Sequence, residues 1–443
     1  MKCLLLNIQP SDREICIIRL SPLDNSTLSE IKQTEDMKRI LMFSPHFYPN
    51  EFKCNDVAFE LVKKGYDVTV LCDIPNYPKG KFFPGYGYFR RRREVVNGVK
   101  VIRTAVIPRG KGGGVMLALN YLSYAFTACL RAIFMGLFSK WDVILVHQLS
   151  PVTVGLPAVN VKKMQKKAKL LFWVLDLWPE SLQVAGGINN KYVLGAFEWV
   201  AKLCYRNSDR ILISSNGFRD SICQKGDFGG KIVYFPNWAE DSLTASGDYV
   251  LPELPDGFKV MFAGNIGEAQ DFDHTLEAAK MLHDKGERDV HFILVGDGRK
   301  RAWVEKYVMD NQLQDTVHWV GRHPLEAMGK FFEQADVLYF ALKDSLIFNL
   351  TCPAKVQAYM SAGKPVLAMI NGEGAKIVED AACGLSVPAG DSQALADAIS
   401  RMAAMNKDEL VSMGQRGKAY CREHFSFEDN MRKLLVMFDD GDM

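Results

Sequence analysis

No two of the ten cysteines stand at CxxC spacing. From Cys3 and Cys16 to Cys383 and Cys421 they are scattered singly, which argues against zinc ribbons and a disulfide framework and for a reducing compartment. An excess of one charge is missing as well. The chain's 54 Lys and Arg face 52 Asp and Glu, and the net charge of +2 gives no reason to expect a nucleic-acid partner. There is no His-rich constellation and no DxD cluster at a strand end, so the chemistry is expected to need no metal and no other cofactor. The opening MKCLLLNIQPSDREICIIRL holds a short apolar run but neither a long h-region nor a small-residue cleavage site, which argues against a secretory signal.

What is present is the composition of a folded globular protein: 48% hydrophobic and 24% charged residues argue against wholesale disorder and against a polytopic membrane protein. At 443 residues the chain divides best into two domains, each able to bury a core. The first compact unit begins at Met37, where MKRILMFSPHFYPN reads as a buried strand and a loop, and residues 1–36 read as an extension outside the core. NDVAFELVKKGYD then has helical spacing, and DVTVLCD reads as a strand buried on both faces, which completes a βαβ unit. KVIRTAV, WDVILVHQ, AKLLFWVLD and DRILISS continue the alternation. The Pro- and polar-rich stretch PNWAEDSLTASGDYVLPELPDG is the linker candidate. Beyond it FKVMFAGNIG, VHFILVGDG, DTVHWVGR, DVLYFAL, KPVLAMI and GLSVPAG repeat the pattern. The division is therefore 37–236, a linker over 237–257, 258–425 and a last helix over 426–443. The fold class is α/β: two Rossmann-like doubly wound domains facing a cleft, with the strand C-terminal ends of both sheets at one shared site.

Residues 115–138, VMLALNYLSYAFTACLRAIFMGLF, are long enough to cross a bilayer and hold one charge, Arg131. Asn120, Ser123, Thr127 and Arg131 are spaced three, four and four apart, which puts one polar stripe on an otherwise apolar helix. A spanning helix gains nothing from such a stripe; burial in the domain and a position at a bilayer interface both suit it better. The preceding KGKFFPGYGYFRRRR mixes aromatics with Arg90–Arg93, and Arg109 and Lys111 follow; this suits either anionic headgroups or plain solvent. These features make the first domain the acceptor side.

In FAGNIGEAQDFDHTL a strand runs through the turn Gly264, Asn265, Ile266, Gly267, with Gln270 beyond, into a helix, which aims N–H groups at an anion such as a diphosphate. In LTCPAKVQAYMSAGKPVL, Thr351 is placed to cap a helix and Lys355 to stand beside its positive end, so that dipole and ammonium together neutralise a leaving diphosphate. Gly296 and Gly298 allow close backbone approach, Arg322 follows a strand where a base is to be held, and Glu373, between two glycines, can accept hydroxyl protons. In the first domain Asp176 closes an apolar strand, and Glu180 lies in the loop beyond; both are candidates for acceptor binding or proton transfer, and Glu180 suits a helix N-terminal charge equally well. His46 and Asn50, in FSPHFYPN, complete the acceptor side, although a hydrogen-bonded loop histidine explains His46 as well.

Taken in order, SPHFYPN, DLWPES, YFPNWAE, FAGNIGEAQ, LVGDG and PAKVQAYMSAGKPVL resemble the family 4 glycosyltransferases, and among them the bacterial subgroup that assembles O-antigen, capsular and colanic-acid polysaccharide, including L-fucosamine transferases. The likeness runs from residue 37 to about 435. It implies a GT-B fold, a retaining reaction without a metal, a UDP-sugar held by the second domain and a last helix that crosses back to the first. It also implies an acceptor saccharide on a polyprenyl diphosphate, and hence a cytoplasmic protein peripheral to the inner membrane. Two departures stand out: the family's common pair of glutamates would fall at Leu350 and Ala358, and the histidine before the strand-end Asp is Trp173. They shift the catalytic expectation to Lys355, Glu373 and Asp176. A nucleotide-sugar epimerase and a non-catalytic partner subunit are the competing readings.

Overall fold

The computed structural model describes residues 37–184, 187–239 and 249–439; the extension 1–36 and the middle of the linker, 240–248, lie outside the described residues. Eight strands form the first sheet: β1 (Arg39–Phe43), β2 (Asp67–Asp73), β3 (Arg93–Val96), β4 (Val99–Thr104), β5 (Val143–Gln148), β6 (Lys169–Val174), β7 (Arg210–Ile213) and β8 (Ile232–Tyr234). Their order is β3-β4-β2-β1-β5-β6-β7-β8, parallel except for β3 against β4. The second sheet is parallel throughout, in the order β11-β10-β9-β12-β13-β14, from β9 (Phe258–Ala263), β10 (Val290–Val295), β11 (Val317–Gly321), β12 (Val337–Ala341), β13 (Val366–Met369) and β14 (Gly384–Val387). Continuous apolar runs explain the central strands, since β5 and β10 are buried at every position, as strands covered on both faces must be.

Both sheets reverse direction of winding beside their first strand, between β1 and β5 and between β9 and β12. Ligands in open α/β sheets sit outside the carboxyl ends of the strands at such a reversal. Two strands escape a sequence reading: β8 has only three residues, and β3 begins inside the arginine run that reads as loop.

From Arg39 onward both sheets belong to one compact unit. The last helix, Phe427–Asp439, buries Met431, Leu434, Met437 and Phe438 against Ile40, Met42 and Val57 of the first lobe. The long helix Gly114–Phe138 has two unlike faces. Tyr124, Ala128, Ala132 and Met135 enter the first core, while Leu122, Phe126 and Leu137 are exposed. Its polar stripe is a lock on the backbone after β4: Asn120 Nδ2 donates to Ile107 O (2.6 Å), Ser123 Oγ accepts from Ile107 N–H (2.9 Å) and Thr127 Oγ1 donates to Ala105 O (2.6 Å).

Candidate active site

At the reversal of the second sheet, the loops after β9 and β10 interlock. Gly264 and Gly296 both sit at φ +144. A Cβ on Gly296 would lie 1.9 Å from the Gly264 carbonyl oxygen, and one on Gly298 would lie 2.1 Å from that of Ile266. Gly264 N–H donates to Val295 O and Ile266 N–H to Asp297 O, each at 2.9 Å, and close the joint. Gly264 and Asn265 remain exposed at its surface. Gln270 folds back, its Oε1 accepting from Gly267 N–H (3.2 Å), so it stabilises the turn from within.

Lys355 stands in the first turn of the helix Ala354–Ser361. Thr351 does not cap that helix, contrary to the sequence reading: its hydroxyl donates to Ile347 O (2.7 Å), a carbonyl left over by the preceding helix Leu346–Leu350, and the N-cap is Pro353, which offers no side-chain cap. The stem of Lys355 is partly exposed, but its Nζ is enclosed, has no hydrogen-bond partner and lies 3.5 Å from the centroid of the Phe262 ring. A Cβ at position 264 would come within 2.9 Å of both Cε and Nζ, so glycine there is what admits the ammonium. Burial pushes Lys355 down to about 7. A cation enclosed without an anion, beside an uncapped helix N-terminus and an exposed Gly-Asn turn, suits an anion such as a diphosphate.

Glu373 opens the helix Glu373–Asp380 behind Gly372, whose φ of +75 and approach to Asn349 O leave no room for a side chain. Burial pushes its carboxyl up, and hydrogen bonds from Asn216 in the first lobe oppose the shift. Beside Asn216, Ser215 Oγ donates to Leu350 O (2.6 Å), so the loop after β7 meets the loops after β12 and β13. Leu350, where the resemblance to family 4 implies a glutamate, thus serves this contact between lobes through its carbonyl. Arg322 follows β11 and is exposed.

In the first lobe, His46 lies just beyond β1, at the reversal, buried and stacked on Tyr77 (5.2 Å between centroids). Its Nε2 is 3.0 Å from an Arg109 NH2, and its Nδ1 is 3.5 Å from Asp73 Oδ2. Arginine can only donate, so Nε2 accepts and the proton of the neutral ring lies on Nδ1, towards Asp73. Arg109 is held between the rings of Tyr77 (5.1 Å) and Tyr121 (5.3 Å), and Asn120 Oδ1 accepts from its Nε (3.3 Å). Asn50 Nδ2 donates to Tyr77 O (2.7 Å), fixing the floor of the same cluster. Burial raises the Tyr121 hydroxyl, with Arg109 drawing it down and Asp176 pushing it up, so the charge of Asp176 reaches this cluster.

Asp176 accepts from the hydroxyls of Ser150 and Ser181 and from Trp178 Nε1 (3.0 Å). Glu180 accepts from Ser221 Oγ (2.6 Å) and pairs with Lys225. Both carboxylates are therefore engaged across loops, Asp176 by Ser150 from the loop after β5 as well as by its own loop, and Glu180 by Ser221 and Lys225 from the segment after β7. Trp173 is fully buried against His147, and burial pushes that histidine down to about 3. The sequence reading missed Arg109 as a pocket residue, taking it for a surface charge, and passed over Asp73, which closes a strand just as Asp176 does.

Comparison with known proteins bears on the fold and the family. Residues 53–238 match the model described as glycosyl transferase 4-like domain, and residues 257–405 that of glycosyl transferases group 1. A protein of Escherichia coli strain K12 named as a colanic acid biosynthesis glycosyl transferase, WcaI, is 23% identical over 296 residues, 62% of this chain and 70% of its own length. Sucrose-phosphate synthase from Thermosynechococcus elongatus superposes with a TM-score of 0.67 at 17% identity, over 90% of this chain and 98% of that one. HepE of Anabaena, solved in complex with UDP, gives a TM-score of 0.62 at 14% identity, over 90% and 99%. At these identities the likeness of the solved structures is one of fold.

Proposed function

Because the chain belongs among the group 1 glycosyltransferases, with two Rossmann-like lobes in the GT-B arrangement, we propose that it moves a hexosyl or N-acetylhexosaminyl group from UDP to a lipid-linked saccharide during assembly of a surface polysaccharide, with retention of configuration. One observation carries the donor half: the enclosed, unpartnered Lys355 ammonium against Gly264. A UDP diphosphate lying over the Gly264–Gly267 turn would give that ammonium its counter-charge. The N–H groups at the helix end would add theirs, so the leaving group is stabilised without a metal. Asn265, Gly296, Gly298, Arg322 and Glu373 frame the same face for the base and the sugar. HepE, crystallised with UDP, supports the choice of nucleotide, and WcaI, named for colanic acid biosynthesis, supports the surface polysaccharide; the placement in the O-antigen and capsule subgroup with its L-fucosamine transferases rests on the sequence resemblance alone.

On the acceptor side, Arg109 and His46 stand at the first sheet's reversal with Asp176 in electrostatic reach, an arrangement that orients a hydroxyl and tolerates an anionic group nearby. The incoming hydroxyl would approach on the face of the sugar that UDP leaves. Product analysis with a panel of UDP-sugars and polyprenyl diphosphate saccharides tests the reading. Wild type should transfer one sugar with retention, and Lys355→Ala should lower turnover by about 10² or more. Sugar nucleotide converted without any acceptor, or a mild effect of Lys355→Ala, would sink it.

A further inference from the structure

The near-neutral charge of the whole chain hides an imbalance in the first lobe. Between Ile74 and Leu175 there are 17 Lys and Arg against two acids, Glu94 and Asp142. The helix Gly114–Phe138 lies in this region, carries no acidic residue and presents an apolar face to solvent. Leu119, Leu122, Phe126, Leu130, Ile133 and Leu137 recur there at three- and four-residue steps along a helix about 37 Å long.

At one edge of that face a cleft opens between the helix and β3 and β4. Leu130 and Phe134 of the apolar face form one wall, and Arg92, Arg93 and Arg131 line the rest with Arg103. Arg131 Nε is enclosed and unpartnered, and burial together with the charges of Arg93 and Arg92 disfavours its charged form. Glu94, the nearest acid in sequence, is taken by Arg103, and no acidic side chain lines the cleft among the described residues. Arg92 is fixed in place by its bonds to Arg103 O (2.7 Å) and Tyr88 O (2.9 Å). Phe89, 99% exposed, immediately precedes the arginine run.

We propose that this face docks on an anionic phospholipid bilayer, with the apolar stripe in the interfacial plane and a lipid phosphate seated among Arg92, Arg93 and Arg131. An apolar stripe alone would suit many partners. Guanidinium groups without a counter-ion along its edge select one that offers phosphate and hydrocarbon side by side. The helix does not span, because Tyr124, Ala128, Ala132 and Met135 of its other face belong to the core of the lobe. The docking extends the acceptor half of the proposed function, since it would bring the acceptor side to the surface where a lipid-linked saccharide lies. Vesicle binding is measured apart from UDP binding, so either can fail without the other.

The test is sedimentation of the full chain with phosphatidylcholine vesicles, with and without phosphatidylglycerol. Wild type should bind the anionic vesicles in a salt-sensitive manner and the neutral ones weakly. Arg93→Glu, at an exposed position on the edge strand, should weaken binding at least about tenfold, and the pair Arg93→Glu and Arg131→Gln further. Phe126→Ser should weaken binding to both kinds of vesicle, and circular dichroism spectra and melting temperatures equal to wild type identify variants that remain folded. Absence of binding to anionic vesicles, equal binding by Arg93→Glu, or saturation by glycerol phosphate with no vesicle binding would overturn the proposal, the last in favour of a soluble anion site.

Discussion

An enclosed ammonium without an anion costs free energy, and at Lys355 a phosphate would restore it. With Lys355 near 7, the group is largely neutral at pH 8, and an arriving diphosphate should draw a proton onto it. Calorimetry of UDP binding at pH 8 in buffers of different ionisation enthalpy should therefore register proton uptake that shrinks towards pH 6 and is absent in Lys355→Met; uptake that persists in the variant would separate the lysine from the phosphate. The same shift bears on stability without ligand. The lysine's pKa is lower folded than unfolded, so between about 7 and 10.5 the unfolded chain binds more protons, and stability gains as pH rises through that window. Lys355→Met should flatten that gain in denaturant titrations. At Glu180 the expectation is structural: Lys225→Ala, which strands a carboxylate in a mostly buried pair, should cost about 3 kcal/mol, whereas Glu180→Gln should leave turnover within a few-fold of wild type. A collapse of turnover in a stable Glu180→Gln variant would return Glu180 to the chemistry.

The interlocked loops after β9 and β10, proposed to cradle the donor, are elements with no slack. Gly296→Ala would drive a methyl into the Gly264 carbonyl at a φ of +144, so it should abolish UDP binding or lower the melting temperature by several degrees, and an unchanged affinity would contradict the interlock. The two faces of the helix Gly114–Phe138 should answer mutation differently. Leu122→Ser, on the exposed face, should change stability by no more than about 0.5 kcal/mol, while Ala132→Leu, in the core, should cost about 1–3 kcal/mol in urea titrations. Strands of this kind were readable from sequence because parallel strands buried on both faces write continuous apolar runs, and all those named from such runs form. The helix was half readable: its polar stripe was visible, but spacing gave no sign that the stripe grips the backbone of residues 105–107. Edge strand β3 was hidden because arginines at a sheet edge look like loop. For the site, Gly264, Gly296 and Lys355 were legible through strand-turn-helix grammar. Arg109 was not, because its place between Tyr77 and Tyr121 is made by segments far apart in the chain.

At the scale of the molecule, two sheets of the same winding logic bring their carboxyl ends together, and Asn216 and Ser215 of one lobe touch Glu373 and Leu350 of the other. The two positions where the resemblance to family 4 implies glutamates, Leu350 and Ala358, serve lobe contact and packing here, and on the proposed function the positive charge for a leaving diphosphate would come from Lys355 and the helix end beside it. The most direct test is calorimetric titration of UDP, GDP and ADP into the wild-type protein and Lys355→Met, in EDTA. Saturable binding selective for UDP, independent of magnesium and lost in the variant, is the predicted result; no binding by any nucleotide, or UDP binding that requires magnesium and is indifferent to Lys355, would contradict it.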